Sequence, residues 1–478
     1  MRYKRLLLTL LPALLLVGCV PKTDKAVTIP DAAIRGDLEK NLDLFGDKDA
    51  HLVADWWRGY GDPQLNTIVE KGLFEAPSLK SVEARYAQAN AIIQSVQSRN
   101  LPQISANASL IRERFSANHI FPEPLGGSTN TQYQPALTLD YDFDFWNERS
   151  SRILAAKNGA LAQRASLEAA KVALSSAICA TYLSWNYDEQ KLAVLSALEQ
   201  INREELAIVE KQYRLGLIDG VEINTKKSAN SQIAQQAAQL KRTIEGKKET
   251  LCVLAGFLPS YTERMTVPHI RNGFSPPLPK EIMLDLLAHR PDVAIAKYTV
   301  LSKRHTIEQR KAAFYPNISL SGLIGFTSFS WAKLLDRSSY SPSAGISLSL
   351  PLLDWGERNA NLQNSVSDYN SSAYEYNRAV INAANEVVVL LKQSKLVQSQ
   401  IAFHHEDINA KKANETIARK KFFLGLSNKL PYLSAKKMAL EGELEAHSLN
   451  ETHALIQVDL IKALGGGYSD KEDKNESL

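Results

Sequence analysis

Leu101-Pro102-Gln103-Ile104-Ser105 and Tyr315-Pro316-Asn317-Ile318-Ser319 are two versions of one phrase, 214 residues apart. The same shift lays Pro77-Ser78-Leu79 on Pro291-Asp292-Val293. Further along, a shift of 209 lays Phe145-Trp146-Asn147-Glu148-Arg149 on Asp354-Trp355-Gly356-Glu357-Arg358. It also lays Lys211-Gln212-Tyr213-Arg214-Leu215-Gly216-Leu217 on Lys420-Lys421-Phe422-Phe423-Leu424-Gly425-Leu426. One unit of roughly two hundred residues has been duplicated, and a repeat that long makes a pseudo-symmetric protomer rather than a solenoid. The two offsets differ by five, which predicts a loop five residues longer in the first copy, between Ser105 and Trp146. Phe121-Pro122-Glu123-Pro124-Leu125-Gly126-Gly127-Ser128 stands there.

Each copy reads helix, strand, loop, strand, long helix, turn, helix. Residues 77–100 have helical composition, and Leu101-Pro102 ends that helix because a proline disfavours helical geometry in the residue before it. Leu137-Thr138-Leu139-Asp140-Tyr141-Asp142-Phe143-Asp144-Phe145 then alternates apolar and polar without a break, and Ile346 to Leu352 does so apart from Pro351. Ile104-Ala106-Ala108-Leu110 and Ile318-Leu320-Gly322-Ile324 supply two further strands of period two. From Glu148 to Arg214 there is no proline and one glycine, Gly159; from Gly356 to Phe423 there is no proline and no further glycine. At 1.5 Å per residue each stretch predicts a helix of about 100 Å. Apolar residues from Leu167 to Tyr213 recur mostly at heptad steps, which predicts coiled-coil packing. Gly216 and Gly425 mark turns, after which helix resumes to about Gly256 and Leu464. The helix after the first turn and the helix at 77–100 together nearly match the long one in length. Stacked end to end they would complete an antiparallel pair, and such pairs around an axis form a hollow cylinder.

The ends carry their own signals. Residues 1–18 read as a secretion signal, with Arg2, Lys4 and Arg5 before an apolar run from Leu6 to Val17. Leu16-Val17-Gly18-Cys19 resembles a bacterial lipobox, in which Cys19 becomes the lipidated first residue; Val20 in place of Asp favours outer-membrane sorting. Residues 19–76 form an anchored N-terminal segment, 257–290 a proline-rich link between the copies, and 465–478 a polar tail. Without Arg2, Lys4 and Arg5 the formal charge of +4 falls to about +1, a balance that gives no electrostatic case for nucleic acid. No segment beyond the signal has 18 consecutive apolar residues, so no transmembrane helix is predicted.

Four strands in 478 residues are too few for an independent sandwich or a closed barrel. Beside an outer membrane, strands of about ten residues with one apolar face fit a membrane barrel to which several chains contribute. The expected fold is therefore mainly α with a membrane β-barrel part. Leu137, Leu139, Tyr141, Phe143 and Phe145 would face lipid. Asp140, Asp142 and Asp144 either line a cation-attracting lumen or are simply a solvated strand face.

The chain resembles the outer-membrane efflux protein family, the TolC-like outer-membrane factors, in its lipoprotein branch. The resemblance rests on Asp55-Trp56-Trp57, Gly61-Asp62-Pro63-Gln64-Leu65, His289-Arg290-Pro291-Asp292-Val293 through Ala312-Ala313-Phe314-Tyr315-Pro316-Asn317-Ile318-Ser319-Leu320, and Ala463-Leu464-Gly465-Gly466-Gly467-Tyr468. It implies a homotrimer whose twelve strands close one barrel. It also implies a helical tunnel crossing the periplasm to a periplasmic adaptor and an inner-membrane efflux transporter. Repeat boundaries follow as 77–256 (β-hairpin 103–145, helical hairpin 148–256) and 291–464 (β-hairpin 317–352, helical hairpin 356–464). Arg214-Leu215-Gly216 is similar to the family's adaptor-contact segment, so the turns carrying Arg214, Leu215, Gly216, Asp219 and Glu222, and Gly425 and Asn428, are the expected gate and docking sites. Family members commonly carry aspartates after the second turn; here Leu430-Pro431-Tyr432-Leu433-Ser434 has none, which leaves Asp219 and Glu222 for any acidic ring.

Cys179 lies 37 residues before Gly216 and Cys252 lies 36 after it, so an antiparallel hairpin sets them at one height. They either form a disulfide or remain two buried thiols. His404 and His405 are adjacent, and His447 and His453 six apart, which suits no shared metal ion. No nucleophile with a paired base and no phosphate loop appears, so no enzyme and no cofactor beyond the N-terminal lipid is expected. A drug or toxic-compound efflux channel is the leading reading. The same channel in protein secretion, or a structural lipoprotein without a pore, are the alternatives.

Overall fold

The computed structural model describes residues 55–271 and 290–468. The signal segment, Cys19, most of the proline-rich link and the polar tail lie outside the described residues. The elements run α1 (Pro63–Glu75), α2 (Pro77–Ser98), β1 (Gln103–Arg114), β2 (Thr129–Asp142), α3 (Glu148–Arg214), α4 (Gly220–Ala255), α5 (Pro291–Ala312), β3 (Asn317–Gly325), β4 (Ser343–Ser349), α6 (Glu357–Phe423) and α7 (Lys429–Ala463). The offsets read from the sequence map these onto one another. Pro77 to Ser98 shifted by 214 gives Pro291 to Ala312, and Glu148 to Arg214 shifted by 209 gives Glu357 to Phe423. Both long helices have 67 residues. None of the described helices is long and apolar enough to cross a membrane.

The chain divides into two units, each drawing on both copies: Arg85–Gln163 with Ala296–Tyr376, and the remaining described residues. The first unit holds one antiparallel sheet in the order β1-β2-β3-β4. Gln103 pairs with Asp140 and Asn317 with Ser349, so the two hairpins share one register under the repeat offsets. The five-residue difference between the copies does not lengthen the first loop. It extends the strands, 12 and 14 residues in β1 and β2 against 9 and 7 in β3 and β4. The second connection, 326–342, is the longer one and contains two short 3₁₀ turns. Backbone pairing continues until turn residues stop it, and in the first copy Phe115 and Ser128 close that ladder.

In the second unit, α3 packs between α4 and α7. Val194, Leu195 and Leu198 are buried against Ile233, Ala237 and Leu240 on one side and Leu440 and Leu444 on the other. The N-terminal motif is held by a single buried carboxylate. Asp62 caps α1 by accepting from the Gln64 amide at 2.9 Å, and it also accepts from the Tyr182 hydroxyl at 2.7 Å and the His269 amide at 2.8 Å. Three donors offset the cost of burying that charge. The joint from α4 to α2 is made by close contact: a Cβ on Gly256 would lie 3.3 Å from Pro77 Cδ and 3.5 Å from Ala76 Cα. At the matching joint, Arg290 donates to the Ala463 carbonyl at 2.6 Å and pairs with Asp292 and Glu386. Both joints set a descending helix end on to the start of another, as the length matching anticipated.

Candidate functional site

The sheet has two unlike faces. Because side chains alternate along a strand, the ladder places Ile104, Ala106, Ala108 and Leu110 beside Leu139, Leu137, Pro135 and Tyr133. The same face continues through Leu320, Gly322 and Ile324 to Ile346 and Leu348. Ile104, Leu110, Leu137, Ile324, Ile346 and Leu348 are all more than half exposed. The opposite face is made of small polar groups: Ser105 beside Thr138, Asp140 beside Ser321, and Ser319 beside Ser347, with a hydrogen bond between the last two hydroxyls. A continuous exposed apolar face this wide is an interaction surface rather than ordinary solvent-facing sheet.

The three aspartates part company. Asp140 and Asp142 lie in β2 on the polar face, and Asp142 pairs with Arg149. Asp144 lies past the strand end. Its two oxygens accept from the Arg149 and Ser150 amides and the Ser150 hydroxyl. The carboxylate that was grouped with the barrel-lumen aspartates is therefore an N-terminal cap of α3, because the first turn of a helix leaves its amides unpaired. Phe143 and Phe145, assigned to the strand's apolar face, likewise lie beyond β2. Asp354 caps α6 in the second copy and also binds the Arg358 guanidinium, which holds its carboxyl below the usual carboxylate range.

The two helix turns share one backbone. Gly216 has φ 69° and Gly425 has φ 72°, the left-handed conformation that glycine adopts without strain. The Leu217 amide donates to the Gln212 carbonyl at 3.0 Å, and the Leu426 amide to the Lys421 carbonyl at 2.9 Å. Asp219 caps α4 through the Val221 amide at 3.0 Å, and Asn428 caps α7 through the Leu430 amide at 3.1 Å. Leu215, Leu217, Val221, Phe423, Leu424 and Leu426 are exposed, each by roughly two thirds or more of its surface. Arg214, Asp219 and Glu222 are exposed as well. The turns thus present leucines to solvent, with acids on the first and none on the second. Cross-ties hold them to the neighbouring helix, Lys429 to Glu204 at 2.7 Å and Lys226 to Glu205 at 2.5 Å.

Cys179 and Cys252 are free thiols, both buried, so the bridge considered from their spacing is not formed. Equal height on a hairpin does not set the direction of a side chain: Cys179 lies within electrostatic reach of Tyr60, and its burial pushes the thiol up. The histidines are used locally. His404 donates from Nε2 to the Gly442 carbonyl at 2.8 Å, and His405 lies against Asn409.

One charged cluster was not read from the sequence. Asp188, almost fully buried, binds Lys247 at 2.5 Å, and Lys191 pairs with Glu451. It ties α3 to α4 and α7. A signal was present: at the positions 209 residues on, Val397 and Ile456 stand in place of Asp188 and Lys247.

The family model described as outer membrane efflux protein matches residues 69–256 and 283–466. Multidrug resistance outer membrane protein MdtQ of Escherichia coli O6:H1 is 27% identical over 474 residues, covering 95% of this chain and 96% of its own length. Among solved structures, the outer membrane protein VceC of Vibrio cholerae aligns with a TM-score of 0.79 and 24% identity, over 87% of this chain and 99% of its own. The Campylobacter jejuni CmeC outer membrane channel aligns with a TM-score of 0.82 and 22% identity, over 95% of each chain. Two matched blocks, one on each copy, with the fold of these channels, establish that this chain belongs to the outer membrane efflux protein family.

Proposed function

We propose that the chain is the outer-membrane channel of a tripartite efflux system that passes small toxic compounds or drugs out of the cell. The observation that carries this reading is the sheet with one exposed apolar face and one polar face. Three copies supply twelve strands, whose apolar faces meet lipid and whose polar faces line a wet bore. The helical hairpins form a duct whose gate lies at the Gly216 and Gly425 turns. Those turns, with Arg214, Leu215, Asp219, Glu222 and Asn428, dock a periplasmic adaptor and through it an inner-membrane transporter. The exposed leucines suit such a contact because an adaptor can cover them as a packed apolar patch. Conduction is passive: the protein supplies a sealed path, energy comes from the inner-membrane partner, and no chemical step is performed. Residues 1–18 direct secretion, and a lipid on Cys19 anchors the mature chain in the outer membrane. MdtQ is named for multidrug resistance, which supports drugs as one class of cargo.

The test uses the native host, where the partners are present. Deleting the gene should raise accumulation of a fluorescent cationic dye several-fold, and the wild-type gene should restore export. Unchanged accumulation and unchanged susceptibility to a panel of toxic compounds would contradict the reading.

A further inference from the structure

The apolar face of the sheet changes character at one end. On β1 it runs from Ile104 to Leu110 and then meets Arg112 and Arg114, which alternation places on the same face. Both arginines are exposed, and neither guanidinium makes an ion pair or hydrogen bond among the described residues. Glu113, between them in sequence, belongs to the opposite, polar face. Two unpaired cations therefore terminate an apolar surface.

Their height on the sheet says what they meet. Arg112 pairs with Thr131 and Leu110 with Tyr133, whose ring meets Trp331 with centroids 5.4 Å apart. Near the other end of β2, on the same face, Tyr141 meets Phe143 at 5.0 Å. From Thr131 to Tyr141 the strand advances ten residues. At about 3.4 Å per residue and a tilt of about 40°, that is about 26 Å of height. The apolar band of an outer-membrane barrel is about 25 Å tall, with an aromatic girdle at each border. Tyr141 and Phe143 mark one border and Tyr133 and Trp331 the other. Arg112 and Arg114 come just beyond the second, where headgroups begin and the cost of a cation beside lipid falls away. This is the end where β1 turns into β2, away from the end where α2 enters and α3 leaves. With the helices in the periplasm, it belongs to the outer leaflet.

We infer that Arg112 and Arg114 bind the phosphate groups of a glycolipid in the outer leaflet. The inference rests on the membrane barrel proposed above and names a lipid held at its outer rim. A guanidinium presents a planar fork that fits phosphate oxygens two at a time, and such a phosphate is the anion that these arginines lack within the chain. Their stems lie along the apolar face while the charged heads reach the border. Leu110 and Tyr133, one step deeper, offer the acyl chains an apolar wall. An amphiphile fits both parts of this surface, whereas a soluble anion fits only the upper one.

Native mass spectrometry of the full-length protein in detergent tests it, with diphosphorylated lipid A as the probe. The wild-type protein should retain the lipid, and Arg112→Gln with Arg114→Gln should weaken retention at least tenfold. Arg112→Lys with Arg114→Lys should keep part of it, since lysine retains the charge and loses the fork. Glu113→Gln, on the other face of the same strand, should leave retention unchanged. All three residues are exposed, so the variants should match the wild type in particle mass and thermal unfolding. Undiminished retention by the double glutamine variant, or equal retention of dephosphorylated lipid A, would overturn the site. Displacement of the lipid by millimolar inorganic phosphate would overturn the lipid as occupant and assign the arginines to a soluble anion. A full-length chain recovered outside the membrane fraction would overturn the barrel itself, whereas one that inserts and ignores the lipid overturns only this inference.

Discussion

The two copies hold the same backbone with different side chains. Ala76 precedes α2, buried beside Gly256; the matching residue before α5 is Arg290, whose guanidinium reaches the Ala463 carbonyl and two carboxylates. Deeper in the helical unit, buried Asp188 pairs with half-buried Lys247 where the second copy has the buried aliphatics Val397 and Ile456. In one copy packing by contact does the work that in the other is done by charge, or the reverse. Duplication preserved the long-helix lengths and the strand register, and the joints and layers were then free to change chemistry.

The sharpest way to break this comparison is to mix the two solutions. Asp188→Val alone leaves Lys247 without its buried partner and should destabilise the fold by about 3 kcal/mol, read from thermal or denaturant unfolding. Asp188→Val with Lys247→Ile imports the second copy's layer and should recover most of that loss, since well-packed apolar replacements of buried pairs are often neutral. A double variant as unstable as the single would show that the layers are not interchangeable. Arg290→Ala removes charge-assisted bonds from a buried position and should cost about 2 kcal/mol, with Arg290→Lys recovering only part because it cannot span several partners at once. Gly256→Ala forces a side chain into a left-handed backbone beside Pro77 and should cost about 1–2 kcal/mol. The smallest stability effect belongs to the turns. Leu215→Ser with Leu424→Ser should change unfolding by less than about 0.5 kcal/mol, because both leucines are exposed. Dye export in the native host should nevertheless fall, and unchanged export would remove the turns from the docking surface.

Most of the fold was legible because it is periodic. Absence of proline from Glu148 to Arg214, a glycine two residues later, and period-two alternation around Leu139 each act locally. The repeat then doubled every one of those signals. What escaped depends on direction rather than on spacing. The offset showed five extra residues but not that they would extend β1 and β2, because where a strand turns is decided by its ladder partner. Alternation carried Asp144 into the strand, whereas the unpaired amides at the start of α3 claim its carboxylate. Cys179 and Cys252 were matched by height, yet height along a hairpin does not aim a thiol. The Asp188 layer looked like ordinary helical charge until set against Val397 and Ile456. The two helix turns were legible as turns from their glycines; exposure of their leucines is a property of the folded hairpin.

The central claim is that several copies of this chain close one pore. It is tested most directly by purifying the full-length protein in detergent, measuring the mass of the particle, and recording its conductance in planar lipid bilayers. The account predicts a trimer that opens discrete, uniform channels. A monomer or dimer that leaves the bilayer silent would contradict it.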